Sequence, residues 1–315
     1  MPDLFDSQLA AVDWLILVGY FVVVIVIGIL ASRGTSDAKG FFLGGRKMPA
    51  WAVAMSFAAT ALSAATFIGG PAYAFGGDLT QLSEEISKVL AAMVVVMLFL
   101  PPLYRSGCTT IYGYLGQRVG PGSAAAAGAV FLLGRLLASG SRLFIAGTAF
   151  SAILYGNTES GNLITAIILF GVVGTLYTAV GGIKAVIWTD TLQLIIVIGA
   201  VIASILLLLQ AIPMSIGEMY QSLEASKKTV IFNTSPDPSL NNTLWAALAM
   251  TFFYAAAFGA DQDMAQRLLT CKTLKHSIRA MIGAIFIAML ITALFMVVGL
   301  LLYIFYARPE LMGEA

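Results

Sequence analysis

Residues 181–193 read GGIKAVIWTDTLQ and lead directly into an apolar run over residues 192–209. They place the carboxylate of Asp190 between two threonine hydroxyls at the edge of a stretch that can cross a membrane. A charged side chain is costly in lipid, so we expect Asp190 to face protein or a water-filled cavity and to have a function. A second interpretation is that Asp190 caps the helix that begins after it, since Asp is a preferred N-cap residue.

The composition predicts a membrane protein. Hydrophobic residues make up 59% of the 315-residue chain, charged residues make up 10%, and the mean hydropathy is +0.92. A soluble domain carries about 25% charged residues. Two isolated cysteines and a single histidine exclude a disulfide framework, a His-rich metal site and a Ser-His-Asp triad. We therefore expect neither an enzyme nor a protein that binds nucleic acid.

Eight segments contain enough apolar residues to cross a bilayer, which takes about 20 residues in a helix. The fold class predicted from them is an all-α, polytopic transmembrane helix bundle. The segments are residues 13–31, 49–75, 80–103, 126–155, 162–180, 188–210, 243–260 and 277–306. Residues 1–13 carry three aspartates and no lysine or arginine, unlike a secretory leader, so the first segment is expected to remain in the mature protein.

The distribution of lysine and arginine predicts the orientation in the membrane, because cytoplasmic loops carry the excess. With the N-terminus outside, the outer loops hold Lys227, Lys228 and Arg308. The inner loops then hold a much larger set: Arg33, Lys39, Arg46, Lys47, Arg105, Arg118, Lys184, Arg267, Lys272, Lys275 and Arg279. We expect a multi-pass protein of the cell membrane with its N-terminus outside and both cysteines facing the cytoplasm.

The second segment is expected to be a broken helix. Residues 51–77 read WAVAMSFAATALSAATFIGGPAYAFGG, in which Gly69-Gly70-Pro71 interrupts the helical pattern. Non-helical backbone at membrane depth occurs where it is buried in protein or lines a cavity. Transporters use such breaks to present carbonyl groups to a cation. An alternative is a continuous helix whose small residues allow close helix packing. We expect the unwound segment to lie around residues 59–70.

Three charged residues open the third segment. Glu84 and Lys88 are four residues apart, in the order that favours a helical ion pair. Glu85 is left over from this pairing and is a candidate for contact with a ligand. An alternative function for the Glu84–Lys88 pair is to end the helix at the outer membrane interface.

Two arginines on the fourth segment share one helical face, because Arg135 and Arg142 are seven residues apart. Arg135 is expected to reach the interface with its side chain. Arg142 lies deeper, and two functions remain open for it. It either pairs with an acid such as Glu85 or holds a substrate carboxylate with its planar guanidinium group.

Three stretches resemble signatures of the sodium:solute symporter family: residues 181–193, the sequence KGFFLGGR at 39–46, and the sequence YAAAFGADQDMAQR at 254–267. The resemblance implies a leucine-transporter-like fold with two inverted repeats. Residues 13–31 would be an extra helix, residues 49–210 the first repeat and residues 243–306 part of the second. It also implies sodium-coupled import, by alternating access, of a small polar organic solute such as a sugar, amino acid or carboxylate.

The resemblance also implies site residues. Sodium, the co-transported ion, would bind the backbone carbonyls of Ala59 and Leu62 and the side chains of Asp190 and Thr189; no organic cofactor is expected. The solute would contact Ser63, Thr66, Glu85, Arg142, Tyr254 and Phe258. Asp261, Asp263 and Arg267 would form an ion network on the cytoplasmic side.

The second repeat supplies two spans before Ala315, whereas the family pattern requires more. The remaining spans are therefore expected elsewhere, either in another polypeptide or in a longer product. Two other functions remain open: a symporter-like sensor domain that precedes a signalling module, and a fragment that does not transport.

Overall fold

The computed structural model describes residues 9–32, 38–62, 64–237 and 243–307, and no strand is formed among them. The first half contains α1 (Ala11–Ser32), α2 (Ala38–Leu43), α3 (Ala50–Ala61), α4 (Ala64–Gly76), α5 (Glu84–Val94), α6 (Leu100–Arg105) and α7 (Ile111–Arg118). The second half contains α8 (Pro121–Tyr155), α9 (Ser160–Ala211), α10 (Ile216–Ala225), α11 (Leu244–Gly259), α12 (Gln262–Leu269) and α13 (Leu274–Tyr306). The predicted all-α class is confirmed.

Five helices of the described part are long and apolar enough to cross a membrane, and there are up to seven if each bent pair is one span. The two predicted spans 162–180 and 188–210 are joined in α9, whose 52 residues are about 78 Å long. A bilayer core is about 30 Å thick, so α9 is longer than one span requires, and its second part, Gly182–Ala211, is long and apolar enough to cross a membrane. The helix is interrupted at Gly182, and residues 183–211 continue through Asp190. Asp190 is thus inside a helix, and its interpretation as an N-cap is wrong.

The interruption at Gly182 requires glycine for two reasons. Its φ of +57° and ψ of −173° form a backbone conformation that side chains disfavour. A β-carbon there would also lie 3.1 Å from the carbonyl oxygen of Phe41. The segment that precedes the first broken helix therefore packs directly on the bend in α9.

The second predicted span is broken at Leu62, within the range 59–70 expected to be unwound, but Gly69-Gly70-Pro71 does not interrupt the helix. Residues 50–61 and 66–76 form helices bent by 61°, and the N–H of Leu62 makes the final helical bond of α3, to the carbonyl of Ala58. Pro71 is inside α4. Its carbonyl oxygen packs against Gly299 of α13, and this contact supports the helix where the sequence pattern predicted a break.

A second broken pair, α11 and α12, lies in the other half of the chain and is bent by 59°. The carboxylate of Asp261 accepts hydrogen bonds from the N–H groups of Asp263 and Met264, so it caps α12. The core lies between the two broken pairs and α13, where Phe57, Met281 and Phe295 are buried.

The long connection between α9 and α11 is attached to α4 through Lys228. The Nζ of Lys228 donates to the carbonyl oxygens of Phe75 and Gly77, at 2.8 and 2.7 Å, and lies 4.1 Å from the centre of the Tyr303 ring. These carbonyls end α4 and carry its negative dipole. A buried lysine therefore caps the second arm of the first broken helix.

We predict that Gly299→Ala destabilises the protein by about 1–3 kcal/mol, the usual cost of overpacking a core. The added β-carbon would collide with the Pro71 carbonyl and lie 2.9 Å from Ala74 Cβ. Gly69→Ala is the matched control, because its β-carbon meets nothing within 4 Å and alanine is the better helix former. Thermal unfolding in detergent is the measurement, and equal melting temperatures for the two variants would contradict the packing.

The two cysteines are expected to differ in their reaction with maleimides. Cys271 is buried, and this burial raises the pKa of its thiol to about 11. The thiolate is the reactive form, so Cys271 should stay unlabelled at pH 7 and at pH 9 until the protein unfolds. Partly exposed Cys108 should react in the folded protein.

The same labelling tests the predicted orientation. A maleimide that does not cross membranes should label Cys108 in inverted vesicles and not in intact cells, with unfolded protein as the control for full reaction. Labelling of Cys108 from outside intact cells would contradict the predicted orientation and indicate the opposite one.

Candidate functional site

A cavity of about 320 Å³, called here the central cavity, lies where the two broken helices meet α5, α8 and α13. Thr66, Glu85, Arg142, Tyr254 and Phe258 all line it, together with Leu62 at the end of α3. The fold thus brings together all the predicted solute contacts that it describes. Ser63 lies outside the described residues. Ala59, Thr189 and Asp190 are not in the lining.

The charged residues at the start of α5 pair differently from the prediction. Lys88 Nζ lies 2.5 Å from Glu85 Oε1, one turn away, so the predicted Glu84–Lys88 pair is wrong. Glu84 turns to α11 instead and accepts a hydrogen bond of 3.0 Å from the Tyr254 hydroxyl. Lys88 lies 5.5 Å from the centre of the Tyr254 ring. One side of the central cavity therefore carries two carboxylates, a lysine and a phenol held in fixed positions.

Arg142 lines the central cavity from α8, and Lys88 is the other cationic residue of the lining. Its side chain is exposed, and no ion pair of Arg142 is found among the described residues, so pairing with Glu85 is wrong. Arg135 is paired rather than free at the interface: it contacts Asp263 and lies 3.4 Å from Asp261. Of the two arginines, Arg142 is the one that leaves its guanidinium group open to a ligand.

The aromatic residues form the floor of the central cavity. The rings of Tyr254 and Phe258 are stacked at 5.8 Å, and Phe258 meets Phe57 of α3 at 5.7 Å. Phe57 and Phe258 are buried, which closes the cavity at this end.

Beneath this floor, three polar side chains from three helices form a cluster that we call the latch: Ser56, Asp190 and Arg267. Asp190 Oδ2 accepts from Ser56 Oγ at 2.5 Å and from Arg267 Nη2 at 3.0 Å. Arg267 Nε donates to Ser56 Oγ at 2.9 Å. The latch therefore joins α3, α9 and α12 by a closed ring of hydrogen bonds around a partly buried ion pair.

The partner of Asp190 was not predicted from the sequence. Arg267 was expected to join Asp261 and Asp263, but its side chain reaches Asp190 and contacts Asp263 through the backbone carbonyl, at 2.8 Å. Thr189 is buried beside the latch, and its hydroxyl donates to the carbonyl of Val186 at 3.1 Å. The sequence did contain a signal for this pair. Asp190 and Arg267 each lie next to an apolar segment, where a charged side chain needs a partner of opposite charge.

A second cavity of about 290 Å³ lies on the far side of the latch. Arg267 and Asp263 line it, together with Phe41, Phe42 and Gly182 of the signature segments. The side-chain amide of Gln266 donates to the carbonyl of Phe42 at 2.9 Å. The two cavities are therefore separated by the aromatic floor and the latch, as in a passage that is closed at one point.

Comparison with known proteins gives consistent results. The family model described as the sodium:solute symporter family matches residues 41–314. Sodium-coupled monocarboxylate transporter 2 of Mus musculus is 30% identical over 300 residues, which cover 92% of this chain and 47% of that protein. The sodium/iodide cotransporter of Homo sapiens is 26% identical over 291 residues, covering 90% and 44%. The chain spans about half the length of these relatives.

A solved structure has the same fold. It is that of a sodium-coupled sialic acid symporter in a substrate-bound, outward-open state. The TM-score is 0.85 at 24% identity, over 96% of this chain and 63% of that chain.

We expect the latch to contribute to the free energy of unfolding. Asp190→Asn or Arg267→Met alone should cost about 1–3 kcal/mol, because each leaves a partly buried charged group without its hydrogen-bond partner. The double variant should cost less than the sum of the two single changes. Arg142→Met is the control, since Arg142 is exposed and makes no ion pair among the described residues. Additive losses in a thermal or denaturant unfolding cycle would contradict the pairing.

Proposed function

The chain belongs to the sodium:solute symporter family, and from this premise we propose that it imports a small polar organic solute together with sodium by alternating access. The observation that carries the proposal is the central cavity, which lies between two broken helices and is closed at one end by the buried rings of Phe57 and Phe258. A site at such helix breaks can be exposed to either side of a membrane by rearranging the arms.

The first candidate sodium position is the end of α3. The last carbonyl groups of a helix have no partner within the helix and carry its negative dipole. Ala59 and Leu62 belong to this end, and the extended ψ of 144° at Leu62 stops the helix there. Their carbonyl oxygens suit a small hard cation, and Leu62 also lines the central cavity. Sodium bound here would lie beside the solute.

The second candidate position is Asp190 with Thr189. Ser56 touches Asp190, and Leu62 is six residues further along α3, about 9 Å by helical rise. The two candidate positions are therefore separate, with Asp190 nearer the second cavity. The hydroxyl oxygen of Thr189 keeps its lone pairs after donating to Val186, so it can accept a cation.

Sodium at Asp190 would compete with the guanidinium group of Arg267 for one carboxylate. An ion that binds there favours an arrangement in which the latch is open, and closure of the latch favours release of the ion. This competition links the ion to the barrier between the two cavities, and the linkage is reciprocal. The membrane potential adds about 2.3 kcal/mol per charge per 100 mV to the sodium gradient. With the N-terminus outside, as the loop charges predict, the second cavity faces the cytoplasm of the cell.

Uptake tests the proposal directly. Cells or proteoliposomes that contain the whole product of the gene should accumulate a transported solute when an inward sodium gradient is present. Replacing sodium by potassium should abolish accumulation, and equal uptake in the two salts would reject sodium coupling. A solute panel of sugars, amino acids and carboxylates is needed, because the family transports several classes.

Asp190→Ala should abolish sodium-dependent uptake while the protein is still present in the membrane, because the second sodium position loses its carboxylate. Glu159→Gln is the control, since Glu159 is an exposed acid before α9 and lies outside both cavities. Near-normal dependence on sodium concentration in Asp190→Ala would end the assignment of Asp190.

A further inference from the structure

A third cavity, of about 740 Å³, lies at the side of the helix bundle, and we call it the lateral cavity. It shares no described lining residue with the central cavity or with the cavity beyond the latch. It opens at the surface of two spans, since Leu98 is 66% exposed and Val130 is 73% exposed. The lateral cavity is therefore outside the path of the solute and the ion, and it is open towards the hydrocarbon core of a bilayer.

The lining of the lateral cavity suits a hydrocarbon chain. Helices α6, α7 and α8 supply most of it, including Leu103, Leu115 and Phe131. Among the described residues of the lining none is charged, and polar side chains come from Tyr112 and Tyr114 alone. The volume is within the usual range of ligand pockets, about 300–1,000 Å³. An apolar chain can therefore enter this cavity without removing a charged group from water.

Two of the helices that line the lateral cavity end in an arginine on the lining face. In α6, Arg105 follows the lining residue Pro102 by three positions. In α7, Arg118 follows Tyr114 by four positions, and its guanidinium carbon is 5.6 Å from the centre of the Tyr114 ring. Residues three or four positions apart share one face of a helix. Both arginines thus lie at the edge of the apolar lining.

Arg105 and Arg118 are available to bind an anion. Both are exposed, and neither has an ion pair among the described residues. The loop charges predict that this side of the protein faces the cytoplasm, where anionic lipids attract basic residues at the membrane surface. A guanidinium group presents its N–H donors in a plane that matches the oxygens of a phosphate group. The apolar cavity and its cationic edge are together complementary to a molecule with an apolar chain and an anionic head.

We propose that the lateral cavity binds one anionic phospholipid of the cytoplasmic leaflet. Its acyl chain lies in the cavity between α6, α7 and α8, and its phosphate group accepts hydrogen bonds from Arg105 and Arg118. The site goes beyond the proposed function, because neither the solute nor sodium passes through it.

The lipid in the lateral cavity contacts the bend of the second broken helix. Gly259 and Ala260 line the cavity beside the 59° bend between α11 and α12. A β-carbon at Gly259 would lie 3.0 Å from the ring of Phe99, another lining residue, so the bend packs closely on the wall of the cavity. An acyl chain held there fills the space beside the bend and favours one arrangement of the two arms.

The test is photo-crosslinking of the purified whole product of the gene in phosphatidylcholine vesicles. The probe is a small fraction of phosphatidylglycerol with a diazirine on its acyl chain, and mass spectrometry locates the adducts. We expect adducts at Leu115 and Phe131 that excess unlabelled phosphatidylglycerol reduces and excess phosphatidylcholine does not. Adducts that neither lipid reduces would show ordinary contact with the bilayer and overturn the site. Absence of adducts at these residues would also overturn it, since another span of a longer product then covers the cavity.

Two arginine variants test the binding of the head group. Arg118→Gln should lower the competable labelling by phosphatidylglycerol about fivefold, the effect of one basic residue near an anionic lipid. Arg279→Gln is the matched control, because Arg279 is an exposed arginine of α13 outside the lining. An equal decrease in both variants would show that general surface charge attracts the lipid, and it would overturn the specific site.

Two alanine variants test the binding of the acyl chain. Ala127→Phe puts a ring into the lateral cavity and should abolish the competable labelling at Leu115. Ala125→Phe is the matched control, since Ala125 is exposed on α8 outside the lining. A ligand that binds the folded protein raises its melting temperature, so phosphatidylglycerol should stabilise the wild type and Ala125→Phe in detergent. Equal stabilisation of Ala127→Phe would contradict the placement of the chain.

Discussion

The ion pair between Asp190 and Arg267, bridged by Ser56, holds together the three helices on which the candidate site depends. A charge in an apolar interior needs a partner, and breaking such a pair costs more than the pair itself contributes. Here the partners come from α9 and α12, and the bridging hydroxyl comes from α3. The first arm of one broken helix, α3, and the second arm of the other, α12, are thereby fixed to α9 and to each other.

The two breaks follow from the same constraint on polar groups. A helix that ends inside a membrane exposes carbonyl or N–H groups, and these must meet protein, water or a ligand. In α12 the exposed N–H groups meet the carboxylate of Asp261, which in turn meets Arg135. At the other break, Ala61 and Leu62 at the end of α3 line the central cavity. One break is therefore satisfied by the chain itself, and the other is placed where a ligand can contribute.

The sequence was sufficient to predict the helical class, most of the apolar segments and six of the residues that line the central cavity. Hydrophobic runs and intramembrane charges have strong local signals, which is why Glu85, Arg142 and Asp190 were identified. The break at Leu62 falls within the expected range, but the interruption expected at Gly69-Gly70-Pro71 is absent because Pro71 is held in a helix by its contact with Gly299, a residue more than 200 positions away. No local pattern contains that contact.

The partners of the charged side chains could not be predicted from their spacing along the sequence either. Glu84 and Lys88 have the spacing of a helical pair, but Tyr254 of another helix takes Glu84 and leaves Lys88 to Glu85. Arg135 was expected at the interface because its acidic partners are on α12, far along the chain. In each case a tertiary contact replaced the local one. A buried polar group that lacks a hydrogen-bond partner is costly, so the available partners decide the pairing more than the spacing along one helix does.

The attachment of Lys228 to the end of α4 has a mechanical consequence for the connection between α9 and α11. Because the lysine is bonded to two carbonyl groups of α4 and packed on the Tyr303 ring, any tilt of α4 must carry this connection with it or break a buried cation away from its oxygen ligands. Movement of the surface segment around α10 is thus coupled to movement of α4, the second arm of the first broken helix. A fluorophore attached to exposed Tyr220 after its replacement by cysteine would report the tilt as a change in its surroundings.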